Sequence, residues 1–215
     1  MILKVIKLNT GLGDLTNCYI VADEETKEAF IIDPGAEAEK IIEMVKILKV
    51  KVKYIILTHC HGDHIGALNE IKEKLEGQIL IHRAEAEGLY KEEINLSYYI
   101  GIDSPELEAD SRLDDKDKIH LGNIEFEIIH TPGHTKGGIC IYCKEHKMIF
   151  TGDTLFRGTW GRTDLPTGSF EDIMHSITNK IMILPEDTIV YPGHGKPTII
   201  REEEKIYLDL KPKKD

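Results

Sequence analysis

Ligand-type side chains cluster directly after one apolar run of the chain. Residues 54–58 read Tyr-Ile-Ile-Leu-Thr, which is typical of a buried strand, and four such residues follow within six positions: His59, His61, Asp63 and His64. Imidazole and carboxylate groups are the ligands that divalent transition metals take from proteins. Because open α/β sheets bind ligands at the ends of their strands, this segment predicts a metal site at the rim of a sheet.

The spacing inside the cluster points its side chains toward two places. His59 and His61 are two residues apart, so in an extended segment their rings point to the same side and can bind one metal. Asp63 and His64 follow Gly62, where the backbone can turn sharply, and they can reach a second point nearby. A polar loop without function is the plain alternative, which the density of ligand-type residues disfavours.

Four short motifs, taken in chain order, resemble those of the metallo-β-lactamase superfamily. The first is His-x-His-x-Asp-His at 59–64, and the second is Thr-Pro-Gly-His-Thr at 131–135. The third is Gly-Asp-Thr at 152–154, and the last is Pro-Gly-His-Gly at 192–195. The resemblance spans nearly the whole chain. It implies the fold of that superfamily, an αββα sandwich of two mixed β-sheets flanked by helices.

The same resemblance implies two divalent metal ions at one edge of the sheets. The ligands that it implies form three sets: His59, His61 and His134 for the first metal; Asp63, His64 and His194 for the second; and Asp153 between the two. Zinc is the expected metal, with iron or manganese as alternatives.

The patterns along the chain agree with this architecture. Strands, a helix, a strand and a helix occur in each half, an order that suits two packed sheets with helices outside. The length of 215 residues suits one α/β domain spanning residues 1–215. Four predicted helices cover roughly residues 36–48, 65–77, 170–184 (N-capped by Ser169) and 202–210, the last followed by a charged tail.

Composition excludes some classes of partner. The net charge is −11, from 27 basic and 38 acidic residues, which disfavours nucleic acid as a ligand. The start of the chain does not have the pattern of a signal peptide, and no apolar run approaches the roughly 20 residues of a membrane span. We therefore expect a small-molecule substrate and no membrane or nucleic-acid partner, and the oligomeric state stays open.

The cysteines do not indicate a redox or metal pair. Cys140 and Cys143 have the Cys-x-x-Cys spacing, but they lie on a predicted strand, where positions three apart face opposite sides. Cys60 lies between two ligand-type residues and would point away from them. With no disulfide framework visible among the four cysteines, a reducing cytoplasmic setting is expected.

The implied metal pair predicts hydrolysis. Two divalent metals about 3.5–4 Å apart lower the pKa of a shared water to about 7, so a metal-bound hydroxide exists at neutral pH and can attack an acyl group. Asp63 and Asp153 are the expected catalytic carboxylates. No G-x-S-x-G nucleophile elbow is present, so a serine nucleophile is not required.

The segment around Asp153 bears on the substrate. Gly-Asp-Thr-Leu-Phe at 152–156, followed by Gly-Arg-Thr-Asp at 161–164, resembles the glyoxalase II branch, which implies an S-2-hydroxyacyl thioester. That branch carries a further helical C-terminal region that helps to hold glutathione, whereas this sequence stops soon after the last motif, so another thiol carrier or a broader thioester stays open. Arg162 is either the substrate-carboxylate ligand or the partner of Asp164.

Other activities within the resemblance stay open. A persulfide dioxygenase of the same fold would hold one iron through His59, His134 and Asp153. A lactonase and a non-catalytic metal-binding protein are further alternatives. β-Lactamase, flavo-diiron and RNA-processing branches fit less well. In the polar stretch at 95–117, Tyr98 and Tyr99 either pack on the domain, which is the favoured interpretation, or line a substrate path.

Overall fold

The computed structural model describes residues 1–11, 13 and 15–207, apart from the side chain of residue 206, and contains two six-stranded mixed sheets. The first, in the order β1-β2-β3-β4-β5-β6, consists of β1 (Ile2–Asn9), β2 (Leu15–Ala22), β3 (Glu28–Ile32), β4 (Lys51–Leu57), β5 (Gln78–His82) and β6 (Ser111–Leu113). Neighbouring strands are antiparallel from β1 to β3 and parallel from β3 to β6.

The second sheet has the order β14-β13-β10-β9-β8-β7. Its strands are β7 (Lys118–Leu121), β8 (Ile124–His130), β9 (Ile139–Cys143), β10 (Met148–Gly152), β13 (Ile189–Pro192) and β14 (Thr198–Ile199). Only β10 and β13 pair in parallel. A two-stranded hairpin, β11 (Leu155–Phe156) with β12 (Thr159–Trp160), contacts β10 and β13 through β11.

The helices lie outside the sheets. They are α1 (Ala38–Leu48), α2 (Gly62–Ile65), α3 (Leu68–Leu75), α4 (Glu92–Asn95), α5 (Phe170–Ser176) and α6 (Ile200–Tyr207), with 3₁₀ turns at Ala86–Tyr90 and Ser97–Ile100 and a π-helical turn at Ile177–Ile181. Within the described residues, no helix has the length and apolar character needed to cross a membrane.

Strand alternation divides the core into three layers. In β4, Ile55 and Leu57 pack with α1 and α3 on the outer face of the first sheet, while Ile56 points between the sheets. On the outer face of the second sheet, Ile149 packs with Ile173 of α5. This order of layers confirms the predicted αββα sandwich of two mixed sheets.

The β9 strand places its two cysteines on opposite faces. Cys140 lies in the layer under α5, and Cys143 lies between the sheets. Both are buried and free. The prediction that the two cysteines face opposite sides of the strand is therefore confirmed.

Helix boundaries differ from the sequence prediction at three places. The single helix expected after the first motif is two helices, because the Ala67 N–H donates to the Pro34 carbonyl at 3.0 Å and the chain bends there. Ser169 caps α5 as predicted, accepting from the Asp172 N–H at 3.2 Å. The Thr178 hydroxyl then donates to the Met174 carbonyl at 2.7 Å, and the α-helix gives way to the π-helical turn.

The third difference concerns the C-terminal helix, which begins at Ile200 rather than 202; its predicted end at 210 and the charged tail lie outside the described residues. Strands β6, β11, β12 and β14 were not predicted. The favoured packing of Tyr98 and Tyr99 was wrong, since these side chains are 74% and 78% exposed. Their polar stretch contributes too few apolar neighbours to cover them.

The inter-sheet layer supports a stability prediction. Ile141→Ala removes a fully buried side chain from this layer, and we expect the free energy of unfolding to fall by about 2–5 kcal/mol. The matched control Ile183→Ala changes a side chain that is 70% exposed and should cost no more than about 0.5 kcal/mol. Urea unfolding measures both, and equal effects would contradict the assignment of the core.

Candidate metal centre

Four strand ends deliver the seven predicted ligands to one edge of the sandwich. His59 and His61 follow β4, and Asp63 and His64 lie in α2. The remaining three follow the ends of strands β8, β10 and β13: His134, Asp153 and His194. The structure therefore brings together every residue that the sequence motifs proposed as a ligand.

Backbone hydrogen bonds fix these loops to one another. The Asn17 N–H donates to the Gly193 carbonyl at 2.7 Å, and the Gly193 N–H donates to the Gly152 carbonyl at 2.7 Å. The Ile139 N–H donates to the Thr58 carbonyl at 2.9 Å, which joins the two sheets beside the first motif. A Cβ atom on residue 193 would lie 2.2 Å from the Asp153 Oδ1, so only glycine allows this approach.

The first metal group consists of His59, His61 and His134, whose ligand atoms lie within 4.8 Å of one another. The His61 Nδ1 is 2.9 Å from the His134 Nε2. The His134 Nδ1–H donates to the Arg162 carbonyl at 2.7 Å, which leaves Nε2 free as a ligand atom. All three side chains are buried.

The second metal group consists of Asp63, His64 and His194, again within 4.8 Å. The His194 Nε2 lies 3.2 Å from the Asp63 Oδ2 and 3.3 Å from the His64 Nε2. The group combines a carboxylate with two imidazoles, a donor set that suits zinc, iron or manganese.

Asp153 lies between the two groups. Its Oδ2 is 3.6 Å from the His134 Nε2 of the first group and 3.5 Å from the His194 Nε2 of the second. Its Oδ1 is 3.3 Å from the His64 Nε2. The carboxylate has the position that a ligand shared by two metals requires.

Unpartnered buried atoms show that the residues fit a metal pair. The His59 Nε2 and the Asp153 Oδ1 are buried and make no hydrogen bond, which is costly for polar atoms that bind nothing. Two imidazole nitrogens also approach each other in each group, and a shared cation is the usual reason for such contacts. The donor set, its burial and its close spacing therefore all suit bound metal.

The two groups titrate differently. Burial lowers the pKa of His59 and brings that of His61 to about 3, and neighbouring imidazoles add to the effect. Burial also opposes the charged form of His64 and His194, but the carboxylates outweigh it: the pKa of His64 rises, and that of His194 rises to about 10. The same imidazoles hold the pKa of Asp153 well below its usual range despite its burial.

Asp33 supports both groups, and the motifs of the sequence did not identify it, because the Asp-Pro-Gly segment at 33–35 is typical of a turn. The His64 Nδ1–H donates to its Oδ2 at 3.0 Å, so the His64 Nε2 is free for metal. Its Oδ2 also accepts from the Thr58 hydroxyl at 2.7 Å, and that hydroxyl lies 3.1 Å from the His59 Nδ1. One buried carboxylate thus sets the tautomer of two ligands.

Glu85 is a second supporting residue that the sequence did not reveal. Its carboxylate is buried and accepts from the Cys60 N–H at 3.1 Å and from the Gly137 N–H at 2.7 Å. Cys60 lies between His59 and His61, and Gly137 follows His134. Glu85 therefore ties together the two loops that carry the first metal group.

A cavity of about 1390 Å³ opens onto the metal groups. His61, Asp63, His134, Asp153 and His194 line it, together with Arg162 and Tyr99. Arg162 donates to both carboxylate oxygens of Asp164 at 2.7 Å, so of its two predicted roles the ion pair is present. Its role in substrate binding stays a prediction.

The pKa pattern predicts proton release on metal binding. At pH 7.5 the pKa of about 10 keeps His194 protonated, and the raised pKa of His64 favours its charged form, so binding at the second group should release protons, whereas the lowered pKa values of His59 and His61 favour their neutral forms. Affinity at the second group should therefore rise with pH up to about pH 10, where His194 loses its proton. Zinc calorimetry in buffers of different ionisation enthalpy measures this release, and a second binding event without it would contradict the assignment.

Asp33→Asn tests the supporting carboxylate. The amide would present an N–H to His64 and favour the wrong tautomer, so we expect the affinity for metal at the second group to fall about 10–100-fold. The control Asp110→Asn changes a carboxylate that also accepts a backbone N–H, from Ile79 at 2.7 Å, outside the metal groups. Metal titration with a competing chelator measures the affinity for metal of both variants. An unchanged affinity in Asp33→Asn would refute the role of Asp33 in orienting His64.

Comparisons with known proteins agree with the site. The sequence of residues 11–194 matches the family model of the metallo-β-lactamase superfamily. The hydroxyacylglutathione hydrolase GloC of Haemophilus influenzae is 37% identical over 193 residues, covering 88% of this chain and 90% of that protein.

Solved structures of similar proteins share the fold. The B3 metallo-β-lactamase BLEG-1 has a TM-score of 0.90 and 34% identity, covering 98% of this chain and 100% of that one. TTHA1623, solved in a di-iron-bound form, has a TM-score of 0.83 and 31% identity, covering 94% and 98%. With the family model matching most of its length, the chain belongs to the metallo-β-lactamase superfamily.

Proposed function

We propose that this metallo-hydrolase cleaves thioesters, in particular S-2-hydroxyacyl derivatives of a thiol. The observation that carries the proposal is the position of Asp153 between two complete ligand groups at the floor of an open cavity. The similarity to a protein named hydroxyacylglutathione hydrolase supports the choice of substrate class.

The chain's own residues supply positioning. Two divalent metals held by the groups would supply Lewis-acid activation and a water of lowered pKa. Asp153 fixes the two groups relative to each other, Asp33 and the Arg162 carbonyl fix the tautomers of His64 and His134, and the cavity admits the acyl group beside them. We propose zinc as the metal; the di-iron form of TTHA1623 makes iron the first alternative.

Covalent catalysis by the nearest cysteine is disfavoured. Cys60 lies between two ligands, but its thiol is buried, and burial together with the Glu85 carboxylate raises its pKa well above the usual range. The thiolate, which is the nucleophilic form, is therefore scarce at neutral pH. Attack by activated water is the chemistry that the site favours.

The proposal predicts metal-dependent activity on S-lactoylglutathione. Chelation should abolish thioester cleavage and zinc should restore it, under anaerobic conditions as well as in air. Asp153→Asn should lower kcat/KM at least about 100-fold, because it removes the group shared by both metals. The control Asp187→Asn changes an exposed carboxylate that pairs with Lys147 and should leave kcat/KM unchanged.

Three other substrates complete the assay. Cleavage of a lactone or a β-lactam at higher kcat/KM than the thioester would replace the proposed substrate class. Oxygen uptake on a persulfide by the iron-loaded protein, without thioester cleavage, would replace hydrolysis with the dioxygenase reaction. Metal-loaded protein that is inert toward all four substrates would indicate a non-catalytic metal-binding protein.

A further inference from the structure

The cavity wall carries cations although the chain as a whole has a net charge of −11. Among the residues that the structure describes, and apart from Asp63 and Asp153 of the metal groups, the wall includes one carboxylate, that of Glu93. Four cationic side chains line the same wall: Lys7, Arg157, Arg162 and Lys196. A cavity lined in this way attracts an anionic ligand.

The two arginines already have carboxylate partners. Arg162 forms a two-bond pair with Asp164, with both distances at 2.7 Å. Arg157 lies 3.9 Å from a Glu202 oxygen. Each arginine thus has a carboxylate of the chain itself within ion-pair distance.

The two lysines differ from the arginines. Across residues 1–11, 13 and 15–207, neither Lys7 nor Lys196 forms an ion pair. The Lys7 ammonium is held in place, donating to the Asn17 side-chain oxygen and to the Gly195 carbonyl at 2.6 Å. Partial burial lowers its pKa, as expected for a cation that is partly removed from water.

Lys7 and Lys196 lie at the loop that carries His194 of the second metal group. Gly195, which accepts from Lys7, directly follows His194 and precedes Lys196. Asn17 braces the same loop by donating to the carbonyls of Pro192 at 2.8 Å and Gly195 at 3.2 Å. The two lysines therefore flank the His194 side of the centre, while Arg162 contacts the His134 side through its carbonyl.

We propose that Lys7 and Lys196 form the subsite for an anionic group on the thiol portion of the substrate, and so determine which thiol carrier is accepted. The inference rests on the proposed thioester hydrolysis, because the acyl carbonyl must lie at the metal groups while the carrier extends along the cavity wall. A 2-hydroxyacyl group such as lactoyl is uncharged, so the anion belongs to the carrier. An ammonium group recognises a carboxylate or a phosphate as a point charge. Thiol carriers with either anion therefore share the chemistry that this subsite recognises.

Steady-state kinetics on three lactoyl thioesters test the subsite. S-lactoylglutathione offers carboxylates, S-lactoyl-coenzyme A offers phosphates, and S-lactoyl-N-acetylcysteamine has a neutral carrier. Lys7→Met and Lys196→Met should each raise KM for the better of the two anionic substrates about fivefold to tenfold, with kcat within twofold. Neither should change the kinetics with the neutral carrier.

Two matched variants serve as controls. Lys4 lies on the same strand, β1, but is not part of the cavity lining. Lys4→Met should therefore leave KM and kcat unchanged for all three substrates. Arg157→Gln removes a cation of the same wall that lies 3.9 Å from a Glu202 oxygen, and it should change KM less than twofold. If Arg157→Gln alone raised KM for the anionic substrates, or if Lys7→Met slowed all three substrates equally, the lysine subsite would be wrong.

A binding measurement separates this inference from the proposed reaction. Calorimetry with S-methylglutathione and with 3′-dephospho- and intact coenzyme A needs no turnover. We expect salt-sensitive binding of one carrier that weakens about fivefold to tenfold in Lys7→Met and Lys196→Met. Lysine-dependent binding by a wild-type protein that cleaves no thioester would overturn the reaction alone, whereas cleavage with lysine-independent binding would overturn the subsite alone.

Discussion

The structure depends on keeping five imidazoles and two carboxylates crowded together, buried or half-buried, at the meeting point of four strand ends. Without another partner this arrangement is unfavourable, because buried polar atoms need hydrogen bonds and buried like charges repel. The His59 Nε2 and the Asp153 Oδ1 have no such bonds. The surrounding protein therefore holds the ligands in an arrangement that is unfavourable without bound metal, which is the condition of a preorganised metal site.

Supporting residues supply that restraint from the first sheet and from the loop after the β11–β12 hairpin. Asp33 at the end of β3 orients His64 directly and His59 through Thr58, and the Arg162 carbonyl orients His134. Glu85, after β5, ties together the loops of the first group. Since β3, β4 and β5 are parallel neighbours, their ends meet at one edge, and residues distant in sequence converge on the same loops.

Much of the candidate site could be predicted because its ligands are chemically distinctive and follow recognisable strands. The residues that hold these ligands in place could not be predicted. Asp33 reads as the start of an Asp-Pro-Gly turn, and Glu85 lies in a stretch of helical composition, so neither carries a local signal of its contact with a ligand loop. Sheet alternation also predicted that Cys140 and Cys143 face apart. The break between α2 and α3 depends on a contact with Pro34, a long-range interaction that helical periodicity does not encode.

Anomalous X-ray scattering from crystals of the metal-loaded protein, collected at the absorption edge of the bound metal, tests the central claim most directly. The account predicts two peaks, one among His59, His61 and His134 and the other among Asp63, His64 and His194, with the Asp153 carboxylate between them. A single peak away from Asp153, or metal bound elsewhere on the chain with these seven side chains uncoordinated, would contradict it.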